Sequence, residues 1–340
     1  MKRSFVKCFL ALLTICVWTC DRRTGQEVVV YTSVDEVFTR PVVERFTKET
    51  MIAVRLVPDT EETKSTGLLN RLIAEKDRPQ ADVFWSGDPM RAALLKAKGV
   101  STPYRSPQAD GLPQQFSDPD GYWTGFSARA RVLIYNHNLV PEGQEPLSVM
   151  DLLNQRFRGK TCIANPLFGT TSVHAAALFS LLGEEQAKAF FDGFTANEGK
   201  MLSSNGEVRR RVAAGEFAVG LTDTDDVNVA RLEGKPVGVV YPDANGMGTL
   251  LIPNCAVLIA GGPHPAAGRQ FIDYLLRPET EKALAESEAA QMPLRPGVPV
   301  PPGVISIQGL KPMLVNYSEL AARFEKLSRG FLKEWVDRHS

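Results

Sequence analysis

The sequence predicts an α/β protein of two lobes, each a mainly parallel sheet flanked by helices, the lobes joined by two crossing strands. Three observations carry this expectation. Strand-like and helix-like runs alternate from Val28 onward, which implies parallel strands with helices on the sheet faces. The 340-residue length exceeds what one hydrophobic core usually holds. Two strand-like runs, Ala128 to Asn136 and Asn254 to Ala260, read as an outward and a return crossing between lobes. At 44% apolar and 23% charged residues, the composition is that of a folding globular chain. Its 39 basic and 39 acidic residues cancel, which argues against a dedicated nucleic-acid binder.

Elements follow in order. Met1 to Lys7 is a basic n-region and Cys8 to Trp18 an apolar h-region, too short for a membrane span. Val17-Trp18-Thr19-Cys20 resembles a bacterial lipobox, so residues 1–19 are expected to be a signal peptide and Cys20 a lipidated first residue. The alternative is an ordinary cleaved signal. Residues 20–26 read as a polar tether. Val28 to Ser33 is a buried strand, and Pro41 opens a helix with Val42, Val43 and Phe46 on its inner face. Ala53 to Pro58 is the next strand. Ser65-Thr66 can cap a helix from Gly67 to Lys76. Ala81 to Trp85 is a third strand, and Met90 to Lys98 a third helix. Ligands of such sheets sit beyond the C-terminal strand ends, which puts Thr32, Ser33, Asp35, Ser86, Gly87 and Asp88 at one rim.

The Ala128 to Asn136 crossing leads into a second lobe that repeats the pattern. A helix around Val149 to Leu153, a strand Thr161 to Ala164 and a helix Val173 to Leu182 come first. Helices Glu184 to Phe194 and Glu207 to Ala214 follow, then a strand Ala218 to Leu221 ending in Thr222-Asp223-Thr224-Asp225-Asp226. After the return crossing come helices Arg269 to Leu276 and Glu279 to Ala285, a proline-rich linker Pro293 to Gly303, and terminal helices within Gln308 to Arg338. Expected lobe boundaries are 27–128 plus 255–300 for the first and 129–254 plus 301–340 for the second. Cys162 and Cys255 sit in apolar runs and read as buried free thiols, with no CxxC pair to suggest zinc or redox chemistry.

The stretches that carry function are two helix openings. Asn165 to Ser172 and Ser203-Ser204-Asn205-Gly206 each follow an apolar segment and offer small residues, hydroxyls or amides, and free backbone N–H groups. A helix start presents unpaired donors and partial positive charge, so two of them facing one spot would make an oxyanion pocket. The acidic run from Asp223 to Asp226 follows a strand and has two readings, ligand contact or helix capping. Tyr31 reads as core, Trp85 as core or cleft wall, and His174 as a satisfied structural histidine. Arg209-Arg210-Arg211 reads as a solvated helix face from which one arginine could reach an anion.

The ordered set of Val30-Tyr31-Thr32-Ser33, Ala81 to Ser86, Arg129 to Asn136 and Phe271 to Leu276 resembles the class II solute-binding proteins of ABC importers. It is most similar to the ferric-ion-binding proteins and their relatives for phosphonates, sugar phosphates and thiamine. The resemblance covers about Val28 to Leu294. It implies the two-lobed periplasmic-binding-protein fold, closing on a ligand, and no enzymatic activity. Set on that family's site, Asp35 falls at a metal-binding His, Gly87 near a Glu, and Asp225-Asp226 at a tyrosine pair. Gly169, Thr170 and Thr171 fall on the anion loop and Asn205 on an anion-binding Asn. The anion half, with Ser204, is thus kept, and the metal half is replaced by Ser33, Asp35, Ser86, Asp88, Asp223, Asp225 and Asp226. Carboxylates are hard donors that can hold a metal, an ammonium group or sugar hydroxyls.

The expected function is capture of a small oxyanion-bearing solute, organophosphate or phosphonate, for an inner-membrane ABC permease. The protein would be periplasmic, monomeric and attached to the membrane only through its lipid anchor, with no nucleic-acid partner. No cofactor is expected, apart from the option of a bound metal ion with its synergistic anion. The alternative cargo is ferric ion, with carboxylates in place of tyrosines. Outside the class stands a metal-dependent hydrolase built on Asp35, Asp88 and the Asp223 to Asp226 run, although the sequence has no nucleophile elbow and no HExxH. A sensor domain is a further possibility for this fold.

Overall fold

The computed structural model describes residues 26–59 and 66–339. The signal segment, Cys20 and the capping Ser65 lie outside the described residues. The first part of the chain forms β1 (Glu27–Thr32), α1 (Glu36–Thr50), β2 (Ala53–Pro58), α2 (Thr66–Ala74), β3 (Val83–Ser86) and α3 (Pro89–Ala97). The crossing strand β4 (Thr124–Asn136) leads to β5 (Thr161–Ala164), α4 (Gly169–Leu181), α5 (Gly183–Ala196) and β6 (Lys200–Leu202). Next come α6 (Asn205–Ala213), β7 (Val219–Asp223), α7 (Thr224–Leu232) and β8 (Val237–Val240). The return strand β9 (Leu251–Leu258) precedes α8 (Pro265–Leu275), α9 (Pro278–Glu286), α10 (Tyr317–Leu327) and α11 (Phe331–Asp337).

The fold is the expected two-lobed α/β architecture. The strands run β2-β1-β3-β9-β4-β7-β5-β6, with β8 also on β4. Pairing is parallel where helices connect the strands, in β1/β2, β1/β3, β5/β6 and β5/β7. It is antiparallel wherever a crossing strand joins a sheet. The crossing is abrupt. Residues Thr124 to Ala130 of β4 pair with β9, whereas Arg131 to Tyr135 pair with β7. The partner therefore changes between Ala130 and Arg131, and side chains there face the space between the two sheets.

Packing follows the apolar pattern. In the first lobe Phe46 meets Phe271 edge-on at 5.0 Å, and Trp85 lies 5.9 Å from Phe126 and 6.4 Å from Phe271. Trp85 is thus core, fully buried, and does not line the cleft. Tyr31 is core as well, with its hydroxyl donating to Glu75 at 3.1 Å. Cys162 and Cys255 are free and buried. The C-terminal α10 lies against both α3 and α4, one helix from each side of the crossing.

Three elements differ from the sequence expectation. α1 begins at Glu36 and runs through Pro41, which gives up one i→i−4 hydrogen bond. Val149 to Leu153 is a single 3₁₀ segment, closed by a Ser148/Asp151 capping box that a short apolar run does not outgrow. α4 starts at Gly169, so Gly169 to Ser172 is the first helical turn and not a loop.

Close packing of β7 under α6 yields a first prediction. A Cβ on Gly220 would stand 2.5 Å from Val208 Cγ1, 3.0 Å from Val212 Cγ2 and 3.2 Å from Cys162 Sγ. Gly220→Ala should cost about 1–3 kcal/mol, read as a lowered urea midpoint.

Candidate binding site

Four helix starts converge between the lobes on a cavity of about 260 Å³. The first turn of α4 follows Phe168, which supplies no side-chain cap. The N–H groups of Gly169, Thr170 and Thr171 therefore have no intrahelical acceptor. Gly169 adopts φ +52°, a left-handed conformation that glycine takes without penalty, and an added Cβ would meet nothing, so conformation rather than space selects glycine. In α6 the Ser204 hydroxyl accepts from Glu207 N at 3.1 Å, leaving the Asn205 and Gly206 N–H groups toward the cavity. The starts of α7 and α1 contribute the acids: Asp223 and Asp35 at the capping positions just before them, and Asp225 and Asp226 in the first turn of α7.

Arg131 organises the floor. Its fully buried Nη1 donates to Asp223 Oδ1 at 2.8 Å, to Thr170 Oγ1 at 3.0 Å and to Asn205 Oδ1 at 3.2 Å. Its Nη2 donates to Thr171 Oγ1 at 3.1 Å and to Leu221 O at 3.4 Å. Asp223 Oδ2 accepts from the Thr170 hydroxyl at 2.6 Å and from Asn205 Nδ2 at 3.1 Å. One guanidinium and one carboxylate thus tie the starts of α4 and α6 to the end of β7. Burial pushes the Asp223 carboxyl up, but the Arg131 and Arg129 guanidiniums override it and hold it below the ordinary carboxylate range.

Arg129, two residues earlier on the same strand face, reaches the cavity itself. Its Nη2 donates to Gly87 O at 2.9 Å, and its Nε lies 3.4 Å from Asp223 Oδ2 and 4.0 Å from Asp225 Oδ2. Burial lowers the Arg129 pKa, but Asp225, Asp223, Asp35 and Asp88 outweigh it and leave it raised. Asp225 is the acid left short of compensation. Burial drives its carboxyl up to about 7, with Asp223, Asp226 and Asp35 adding to the rise and Arg129 opposing it. Asp226 accepts from the Thr222 hydroxyl at 2.6 Å, and its N–H donates to Asp225 Oδ1 at 3.1 Å.

The sequence-predicted site residues divide into two groups. Gly169, Thr170, Thr171, Ser204, Asn205, Ser33, Asp35, Asp223, Asp225 and Asp226 all line the cavity. Ser86 and Asp88 do not, and this corrects the rim expectation. Both are fully buried. Ser86 Oγ donates to Asp88 O at 2.6 Å, and Asp88 Oδ1 caps α3 by accepting from Arg91 N at 2.9 Å. The expected separation of an anion half from an acid half is also corrected, because Asp223 sits inside the anion network. His174 is buried as expected but not satisfied: neither ring nitrogen has a hydrogen-bond partner. Burial and the nearby Arg131 push it down to about 3, so it is neutral.

The residues that sequence reasoning missed are arginines. The sequence places Arg129 and Arg131 only in a crossing strand, yet two charges on one face of the mostly apolar run 128–135 are the visible signal of a buried polar floor. Of the arginine run on α6, Arg209 and Arg210 line the cavity, Arg209 also pairs with Glu233 at 3.4 Å, and Arg211 is spent on pairs with Glu207 and Glu216. Arg210 makes no ion pair with the described residues. Gly87, near the family's Glu position, has its side-chain space taken by Arg129, whose Nη2 would stand 3.0 Å from an added Cβ.

A two-lobed α/β fold with convergent helix starts around a polar inter-lobe cavity defines a solute-binding protein. Residues 42–307 match the bacterial extracellular solute-binding protein family, and the chain belongs to that family. Iron uptake protein A1 of Synechocystis is 27% identical over 296 residues, 84% of this chain and 81% of that protein. A putative 2-aminoethylphosphonate-binding periplasmic protein of Salmonella typhimurium is 27% identical over 302 residues, 85% of each chain. Iron-bound HitA from Pseudomonas aeruginosa superposes with a TM-score of 0.80 at 23% identity, covering 89% of this chain and 98% of that one, and shares the fold. Family and structural neighbours are substrate-binding transport proteins and not enzymes, which removes the hydrolase reading. Family members work with membrane permeases as parts of ABC transporters. Among the described residues no helix is long and apolar enough to cross a membrane.

Asp225 makes stability depend on pH in a definite direction. Between the ordinary Asp value and about 7 the folded state holds a proton that the unfolded chain has released, so stability falls as pH rises through that window. The urea midpoint should drop from pH 5 to pH 8. Asp225→Asn should flatten that part of the profile, and a slope unchanged in the variant would assign the dependence to another group.

Proposed function

We propose that the chain is the extracytoplasmic cargo-capturing component of an ABC importer and that its cargo is a small organophosphonate or organophosphate with a cationic or hydroxylated tail. One observation carries the reading. The cavity brings the starts of α4 and α6, Arg129 and Arg210 together with the acids Asp35, Asp225 and Asp226 in one space. The phosphoryl group meets the backbone N–H groups and Arg210, because the Thr170 hydroxyl and the Asn205 amide are already engaged by Asp223 and Arg131. The tail meets the acids. Asp225 ionises readily once a cation stands beside it, since a positive neighbour offsets the repulsion from Asp223 and Asp226.

Capture closes the lobes, with boundaries at 27–128 plus 255–300 and 129–254 plus 301–340, by a hinge at the two crossings, where β4 changes partner beside β9. Cys20 anchors the monomer to the inner membrane, and the closed form delivers its cargo to a permease there. A second reading, ferric ion, has its own support: Asp223, Asp225 and Asp226 can each offer an oxygen within 4.8 Å of one another. Against it, no tyrosine lines the cavity among the described residues, and Asp223 is already bound to two arginines.

Calorimetric titration of the tail-free protein decides between them. With 2-aminoethylphosphonate, phosphate, a hexose phosphate and Fe(III)–citrate as probes, the phosphonate should bind tightest. A charge-assisted hydrogen bond is worth about 1.5–3 kcal/mol, so Arg210→Ala should weaken it about tenfold or more and Asp226→Asn should weaken amine-bearing probes selectively. Binding of Fe(III)–citrate alone, lost in Asp225→Ala/Asp226→Ala, would replace this reading with iron.

A further inference from the structure

The loop after β3 does not touch the cavity, yet it controls something that does. Arg91, on the first turn of α3, is fully buried and points away from its own sheet toward α4. Its Nη1 donates to Ser172 Oγ at 2.6 Å and to Gly169 O at 3.4 Å. Ser172 Oγ in turn donates to the same Gly169 carbonyl at 2.6 Å. Its Nη2 donates to Thr66 Oγ1 of α2 at 3.2 Å. The guanidinium lies over the Phe324 ring of α10 at 5.0 Å, and the Asp88 carboxylate stands 3.8 Å away. A side chain from the first lobe therefore grips the residue whose left-handed turn starts the anion-binding helix of the second lobe.

We propose that Arg91 is a positioning residue for the anion subsite: by holding the Gly169 carbonyl and Ser172 from across the crossing, it fixes the direction in which the α4 N–H groups face the cavity. This rests on the cargo reading above only for which ligand feels the effect; the positioning itself is a property of the empty protein. The physical reason is the geometry of the fork. Gly169 has no side chain and meets no neighbour at its Cβ position, so packing does not hold it. Its turn is held by hydrogen bonds on its carbonyl, two of which come from Arg91 and from the serine that Arg91 orients. A lysine carries the charge but cannot span Ser172, Gly169 and Thr66 with a planar fork. Arg129 is the counterpart on the opposite side of the loop, donating to Gly87 O while its Nε stands beside Asp223. The segment Ser86-Gly87-Asp88 is thus read by two arginines, each of which continues into the anion network of the other lobe.

The test separates the empty protein from the loaded one. Amide hydrogen exchange over 168–172 is measured without ligand in wild type, Ser172→Ala, Arg91→Lys and Arg91→Met, with Asp88→Asn added to the last where the lone buried carboxylate prevents folding; asparagine retains the cap on α3. Within this stretch the hydrogen-bonded Phe168 and Ser172 amides report the change: their exchange should quicken at least tenfold in Arg91→Met, less in Arg91→Lys, while the amides of α3 and β3 keep wild-type rates. Unchanged exchange over 168–172 in a folded Arg91→Met or Arg91→Met/Asp88→Asn overturns the proposal, as does an equal increase throughout α3, which would mean a merely structural role. A second arm titrates 2-aminoethylphosphonate, whose affinity should fall about tenfold in Arg91→Met with partial recovery in Arg91→Lys. If wild type binds no phosphoryl probe, the cargo reading fails while the exchange arm still decides the role of Arg91.

Discussion

The Arg131–Asp223 pair is the contact on which the site depends. Both groups are buried, and burying either charge alone costs several kcal/mol. Together they are tolerated because almost every remaining donor and acceptor is met by Thr170, Thr171, Asn205 and the Leu221 carbonyl. Such a pair adds little net stability over an apolar filling of the same space. What it adds is position. It joins the end of β7 to the starts of α4 and α6, and it does so from the residue at which β4 exchanges β9 for β7. Any shift in the crossing is felt at once by both helix starts.

That arrangement answers an electrostatic problem. Two helix N-termini beside two arginines would gather positive charge in one place and hold the lobes apart. Asp223 neutralises Arg131 locally, and Arg129 is divided between Asp223 and Asp225. Compensation is then nearly exhausted, which is why Asp225 keeps its proton toward neutral pH. The cavity is lined both by helix starts with Arg129, Arg209 and Arg210 and by the acids Asp35, Asp223, Asp225 and Asp226. A bare anion would leave the acid wall unanswered and a bare cation would leave the helix starts unanswered. A solute with opposite ends answers both, with the backbone N–H groups free for one end because the side-chain hydroxyls and amide are committed beneath them.

Much of this was legible in the sequence because it rests on local rules. Helix starts announce themselves through small polar residues after a strand, and this found Gly169 to Thr171 and Ser204-Asn205. The α/β alternation gave the two-lobe plan, and the acidic run after β7 landed in the cavity. Lines that depend on long-range pairing were not legible. Ser86 and Asp88 have the residue types and the strand-end position of ligands, but Asp88 spends its carboxylate on capping its own helix and facing Arg91. Arg129 and Arg131 lie within the mostly apolar run 128–135 of β4, and only the pairing register reveals that both face the inter-lobe space. Sequence assigns a residue its possible partners, and the fold chooses among them.

The β3–α3 loop shows what that choice means for mechanism. Each of its three residues bonds within the loop or to an arginine: Ser86 to Asp88 O, Gly87 to Arg129, Asp88 to the N–H of Arg91. None reaches the cavity, yet both arginines connect the loop to it: Arg129 lines the cavity beside Asp223, and Arg91 acts through Gly169 and Ser172. A rotation of the lobes must stretch or shorten those bonds before it can change the mouth of the cavity. α10 packs against α3 and α4 on either side of the same crossing, and the Arg91 guanidinium lies over its Phe324 ring, so the proposed hinge would be crossed by buried contacts. In the proposed closure, lobe rotation and anion binding would draw on one set of hydrogen bonds, so a solute that orders the α4 start would also favour the closed lobes.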